Sequence, residues 1–72
     1  MAKRYEWSRI NNVLWKDIGM SPKYIARLLS NLPRGRKTYT KRQVVDAYSK
    51  IWSSPRLVSN FSQKLNKYGI KQ

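Results

Sequence analysis

The chain has 72 residues, with sixteen lysines and arginines against three acids, a formal net charge of +13, and neither cysteine nor histidine. A chain this short buries only about 60–65% of the surface that its unfolded form exposes, so a single small domain over residues 1–72 is expected. The missing residue types exclude disulfides and the usual zinc site, and Glu6, Asp17 and Asp46 are too scattered for the converging carboxylates of metal-dependent phosphoryl transfer.

The opening stretch, Met1 to Ser8, carries Lys3, Arg4 and Glu6 and no uninterrupted apolar run, which speaks against a secretory leader. Trp7, Ile10, Leu14 and Ile18 recur at spacings of three and four, predicting a first helix from about Ser8 to Ile18. Asn11 and Asn12 are poor mid-helix residues, so a start at that pair is the alternative. Gly19 ends the helix by tolerating a left-handed conformation. Ser21 as N-cap and Pro22 at the first helical position open a second helix, with Ile25, Leu28 and Leu29 on one face and Lys23 and Arg27 on another. It stops near Asn31-Leu32-Pro33, and Arg34-Gly35-Arg36-Lys37-Thr38-Tyr39 reads as a tight basic turn or short hairpin.

Thr40 and Gln43 form a capping box for a third helix through about Trp52, whose apolar face is Val44, Val45, Tyr48, Ile51 and Trp52. Ser54-Pro55 repeats the cap-plus-proline start. The last helix carries Leu57, Val58, Phe61, Leu65 and Tyr68 on one stripe, with Lys64 and Lys67 near its end and Gly69 as its stop. Nothing in the sequence shows what this helix packs against. No stretch is long and apolar enough to cross a membrane.

Self-repulsion at this charge density destabilises a small fold, so an anionic partner is expected. Solubility alone is served by either sign of charge, and usually by mixed signs. Catalysis is not expected, nor is any cofactor. Gly35 lacks the second glycine and the spacing of a phosphate-binding loop. A nucleophilic serine or tyrosine of the recombinase kind would need a larger chain to house its site.

Leu14, Ile18, Met20, Ile25 and Leu28 supply the apolar contacts that two steeply crossing helices need, and Gly19 supplies the turn. The pattern resembles the helix-turn-helix of DNA-binding proteins over about 20 residues. Trp15 departs from it, standing where that family usually has a small residue, often alanine; its bulk is expected to widen the helix crossing. With the basic Arg34–Tyr39 segment and the helix that follows, the region from Val13 to Ile51 looks like the winged-helix excisionase and MerR-type group. The small size is similar to phage excisionases, whereas MerR-type activators carry a long coiled coil that this chain lacks. The expected fold is therefore mainly α: a helix-turn-helix, a short basic wing and one or two further C-terminal helices.

The resemblance implies sequence-specific binding to double-stranded DNA. It also implies a role as a recombination directionality factor or small transcriptional regulator of a phage or mobile element, at the nucleoid in the cytoplasm of a bacterial host. An integrase or recombinase, or further copies of the chain on adjacent sites, would then be protein partners; a membrane would not. On this reading Lys23, Ala26 and Arg27, with Ser21, Tyr24 and Ser30, face base edges or phosphates in the major groove. Arg34, Arg36 and Lys37 of the wing, with Lys41 and Arg42 at the next helix start, grip the backbone. Cations at a helix start oppose its dipole, which hints at an external anion.

The same cations would also form an ordinary solvated surface. Tyr5, Trp7, Trp15 and Trp52 read as core rather than as base-stacking platforms, because so small a domain needs large apolar groups. An RNA- or ribosome-binding basic protein is the alternative function, although few strands are readable for the aromatic sheet expected there. A membrane-active peptide conflicts with the repeated caps and prolines, which describe several short helices. A nuclease inhibitor that mimics DNA would be acidic.

Overall fold

Two short strands and four α-helices make up the fold among residues 3–72, which the computed structural model describes. Met1 and Ala2, the start of the stretch read above against a leader, lie outside the described residues. β1 (Arg4–Glu6) pairs antiparallel with β2 (Thr38–Thr40) in the register Arg4↔Thr40, Tyr5↔Tyr39, Glu6↔Thr38. Of the two readings of Arg34–Tyr39, the tight basic turn holds and the short hairpin does not, because the strand that follows the turn pairs with the N-terminal segment. Alternation explains the choice: Tyr39 turns into the core and Tyr5 is half-buried, while Arg4 and Glu6 face out. Arg4 locks the pair by donating from Nε to Thr38 Oγ1 and from Nη2 to the Thr38 carbonyl, both at 3.0 Å.

α1 (Trp7–Asn12) follows directly and runs into a π turn, Val13–Asp17. The helix therefore begins at Trp7, ahead of Ser8 and of the Asn11-Asn12 pair. In the wider turn the Ile18 N–H reaches the Val13 carbonyl at 2.9 Å, and Val13 and Leu14 are both buried. Gly19, at φ 78°, then closes the segment and lets the Met20 N–H bond back to the Leu14 carbonyl at 2.8 Å. No side-chain clash enforces glycine there; the left-handed backbone alone does.

α2 (Pro22–Ser30) starts where its proline predicts and buries Ile25 and Leu28. Its cap is made by the backbone only. The Ser21 carbonyl accepts from Tyr24 and Ile25, whereas the Ser21 hydroxyl makes no capping bond. α3 (Lys41–Ile51) shows the full capping box, with Thr40 Oγ1 accepting from the Gln43 N–H at 3.2 Å and Gln43 Oε1 accepting from the Thr40 N–H at 3.0 Å.

α4 (Pro55–Lys67), whose packing partner the sequence leaves open, lies against α3, with the Tyr48 and Phe61 rings stacked at 4.0 Å and 4°. It ends in a Schellman motif at Gly69 (φ 92°): the Ile70 N–H bonds the Leu65 carbonyl at 2.8 Å and the Gly69 N–H bonds the Asn66 carbonyl at 3.2 Å. This reversal drives Ile70 fully into the core. One hydrophobic cluster results, joining Ile10, Val13 and Leu14, Ile25 and Leu28, Leu32, Tyr39, Val44 and Ala47, Phe61, Leu65 and Ile70. Leu57, expected on the buried stripe of α4, stays 43% exposed. No helix among the described residues is long and apolar enough to cross a membrane.

Candidate nucleic-acid interface

On α2 the buried Ile25 and Leu28 leave Lys23, Ala26, Arg27 and Ser30 on the opposite, exposed face, with the exposed Ser21 at its start. Lys23 and Arg27 are one helical turn apart and project together. The Ser30 hydroxyl donates to the Arg27 carbonyl at 2.7 Å, which orients its oxygen at the edge of that face. Asn31 donates to the same carbonyl at 2.9 Å and closes the end of the helix. Tyr24 differs from its neighbours: it is half-buried, and its ring leans on Trp52 at 5.3 Å. That contact turns most of the ring toward the end of α3 and leaves Tyr24 at the rim of the face.

The basic turn is held from beneath. The hydroxyl of buried Tyr39 lies 3.1 Å from the Arg36 carbonyl and 3.4 Å from that of Pro33, so the turn is pinned at both ends while Arg34, Arg36 and Lys37 remain exposed. Trp7 meets the same Tyr39 ring edge-on, at 6.4 Å and 85°. A shallow hollow lined by Trp7, Ser8, Leu29, Arg36, Lys37 and Tyr39, with Glu6 the one acid among them, joins the turn to α2. It adjoins a groove between α1 and α2 that shares Trp7 and Leu29 and adds Asn11, Trp15, Pro22, Ile25 and Ala26. The cations of the basic turn and the exposed face of α2 thus border one continuous surface.

Three expectations are corrected here. Lys41 is no surface cation: it is 8% exposed, and its ammonium donates to Asn66 Oδ1 at 2.7 Å. The residue at the start of α3 is turned inward to α4, where an amide oxygen satisfies a group that the capping position alone would leave toward solvent. Arg42, next in sequence, stays exposed and can contact an anion. Trp15 is not core either, being 51% exposed at the edge of the groove. Leu29, which the sequence places on the buried face of α2, is 39% exposed beside it. Together they give the α2 face an apolar flank. Periodicity alone does not show this flank, because which residues beside the buried stripes stay open depends on how α1 and α2 meet.

Charge favours an anionic occupant of this surface. Three acids neutralise at most three of sixteen cations, and of the candidate cations only Lys41 is withdrawn into the fold. Among the described residues no group of three or more acids, cysteines or histidines is placed to hold a metal ion. Compared with known protein families, curated proteins and solved structures, the chain matches none.

Proposed function

We propose that the protein binds double-stranded DNA sequence-specifically through a winged helix-turn-helix, in which α1 with its π turn is the first helix, α2 the recognition helix and Arg34–Lys37 the wing. The observation that carries this reading is the exposed face of α2, where Lys23, Ala26, Arg27 and Ser30 stand opposite Ile25 and Leu28 and adjoin the wing cations. A helix seated in the major groove presents such a face to base edges. Arg27 is the candidate for a bidentate contact to guanine, and Ala26 and Leu29 for apolar contact with thymine methyls. The Ser21 hydroxyl, which makes no capping bond, is free for a phosphate at the helix start. Arg34, Arg36, Lys37 and Arg42 hold the backbone and set register. The chain acts by binding, without catalysis.

One such module buries a small interface, so useful specificity calls for several copies or a partner recombinase. That requirement, with the resemblance to phage excisionases, favours a recombination directionality factor or small regulator at the bacterial nucleoid.

The test is a gel-shift series on duplex DNA and on structured RNA across salt. Five to seven phosphate contacts give a log–log slope of about −4.5 to −6. Arg27→Ala is expected to cost about 1–3 kcal/mol on the preferred site and little on scrambled duplex, whereas Arg36→Ala weakens both equally and lowers the slope by about one. Tighter binding to RNA, or a flat salt response, would overturn the reading.

A further inference from the structure

We propose that the protein carries a second nucleic-acid-binding face, formed by Arg9, Lys64, Lys67 and Lys71, and thereby joins two stretches of duplex. The proposal rests on DNA binding through α2. These four cations are exposed, and contacts among their neighbours gather them at one end of the fold. The Tyr5 hydroxyl donates to the Lys71 carbonyl and accepts from the Lys71 N–H, both at 2.9 Å, which ties the tail to β1. The Arg9 guanidinium lies 6.0 Å from the Tyr5 ring centroid, and a Cβ on Gly69 would meet its Nη2 at 3.0 Å. The Lys67 ammonium lies 5.6 Å from the adjacent Tyr68 ring. The start of α1, the end of α4 and the tail therefore share a surface.

Cations in a last helical turn offset the negative end of the helix dipole, which accounts for Lys64 and Lys67. It does not account for Arg9 and Lys71, which other segments bring to the same place. The acids lie elsewhere: Glu6 lines the hollow with Arg36 and Lys37, Asp46 lines another with Lys50, and Asp17 is at the far end of the π turn. Like charges gathered without an acidic side chain repel one another, and an external polyanion relieves that repulsion.

The second face stands on the other side of α1 from the groove that flanks α2. Trp7 and Asn11 line the groove toward α2, whereas Arg9 projects roughly 160° away around the axis of α1, at about 100° per residue. One duplex serving both faces would have to bend round a body of 26 × 23 × 22 Å. Protein-induced bends of about 40–90° already cost several kcal/mol, so a second stretch of duplex is the fitting occupant.

The test is capture of a fluorescent duplex by a second duplex immobilised on beads, with protein below saturation. Wild type is expected to capture it. The variant K64Q/K67Q/K71Q is expected to melt as a folded protein within about 10 °C of wild type and to keep its binding to the immobilised duplex, while capture falls at least about tenfold, the loss expected from one phosphate contact near ~0.1 M salt. Wild type that binds the beads but captures nothing would overturn the second face alone, and protein that does not bind the beads would overturn the α2 reading with it. Undiminished or increased capture by the variant also counts against the proposal. It would trace bridging to contacts between copies, which losing like charges strengthens.

Discussion

Thr40 and Ser21 each open a helix, yet only Thr40 turns its side chain to the task, accepting from the Gln43 N–H while the Ser21 hydroxyl makes no capping bond. Aromatic groups divide along the same line. Tyr48 and Phe61 are stacked between α3 and α4, whereas Trp15 stands half out of the groove between α1 and α2. One cation follows the same division: Lys41 is buried against Asn66 between α3 and α4, while Lys23 and Arg27 of α2 face outward. The contact between α3 and α4 satisfies these groups internally, and the groove between α1 and α2 leaves its large ring to something outside. In a fold this small the closed side must supply most of the stability that the open side forgoes.

The largest expected effect tests that division directly. Phe61→Ala removes a ring that is 3% exposed and breaks the stack on Tyr48, so it is expected to lose about 3–5 kcal/mol in denaturant melts. Trp15→Ala deletes a side chain of similar bulk but is expected to cost about 1 kcal/mol or less, because half of it already meets water. Equal losses would mean that the groove is as much a core as the α3–α4 contact, and the contrast would fail.

A smaller pair sharpens the same point at the helix starts. Thr40→Ala is expected to cost about 1 kcal/mol, the usual value of a lost cap. Ser21→Ala is expected to change stability by only a few tenths, since Pro22 and the backbone make that start without the hydroxyl. Thermal melts of both variants beside wild type rank them. A Ser21→Ala loss as large as that of Thr40→Ala would show a working cap on α2 and remove the free hydroxyl from the proposed interface.

What could be read from the chain, and what could not, follows the range of the forces involved. Pro22, the Thr40–Gln43 box, Ser54-Pro55 and Gly69 mark element ends by local chemistry, and each marks one in the structure. The core positions Ile25, Leu28, Phe61 and Leu65 follow from helical spacing alone. By contrast, β1 is three residues long, and its partner lies 34 residues away, so no local pattern announces it. Lys41 is equally opaque, because its partner Asn66 is 25 positions further on and on another helix. The exposed positions of the candidate interface on α2 were legible because they are the complement of the buried stripe. The apolar flank of Trp15 and Leu29 was not, since it depends on how the π turn sets α1 against α2.

The finest test of the closed side is its response to alkali. Burial beside Phe61 pushes the Tyr48 hydroxyl above its ordinary value, because a phenolate in the stack would lose hydration. In the unfolded chain the same hydroxyl releases its proton near pH 10. Above that point the unfolded state binds fewer protons than the folded state, so stability must fall as pH rises. The contribution is fully present below the unfolded value and is lost as pH climbs through the window between the unfolded and the raised value. Lysines and the other tyrosines titrate in the same range, so wild type alone cannot isolate the effect. Tyr48→Phe keeps the stacked ring and removes only the ionising group. Its melting temperature is expected to match wild type near neutrality and to decline less steeply above about pH 10, with every other group common to both proteins. Parallel curves would mean that the hydroxyl stays hydrated when α3 and α4 are joined, and that the stack is open on the side where Tyr48 borders Met20 and Trp52.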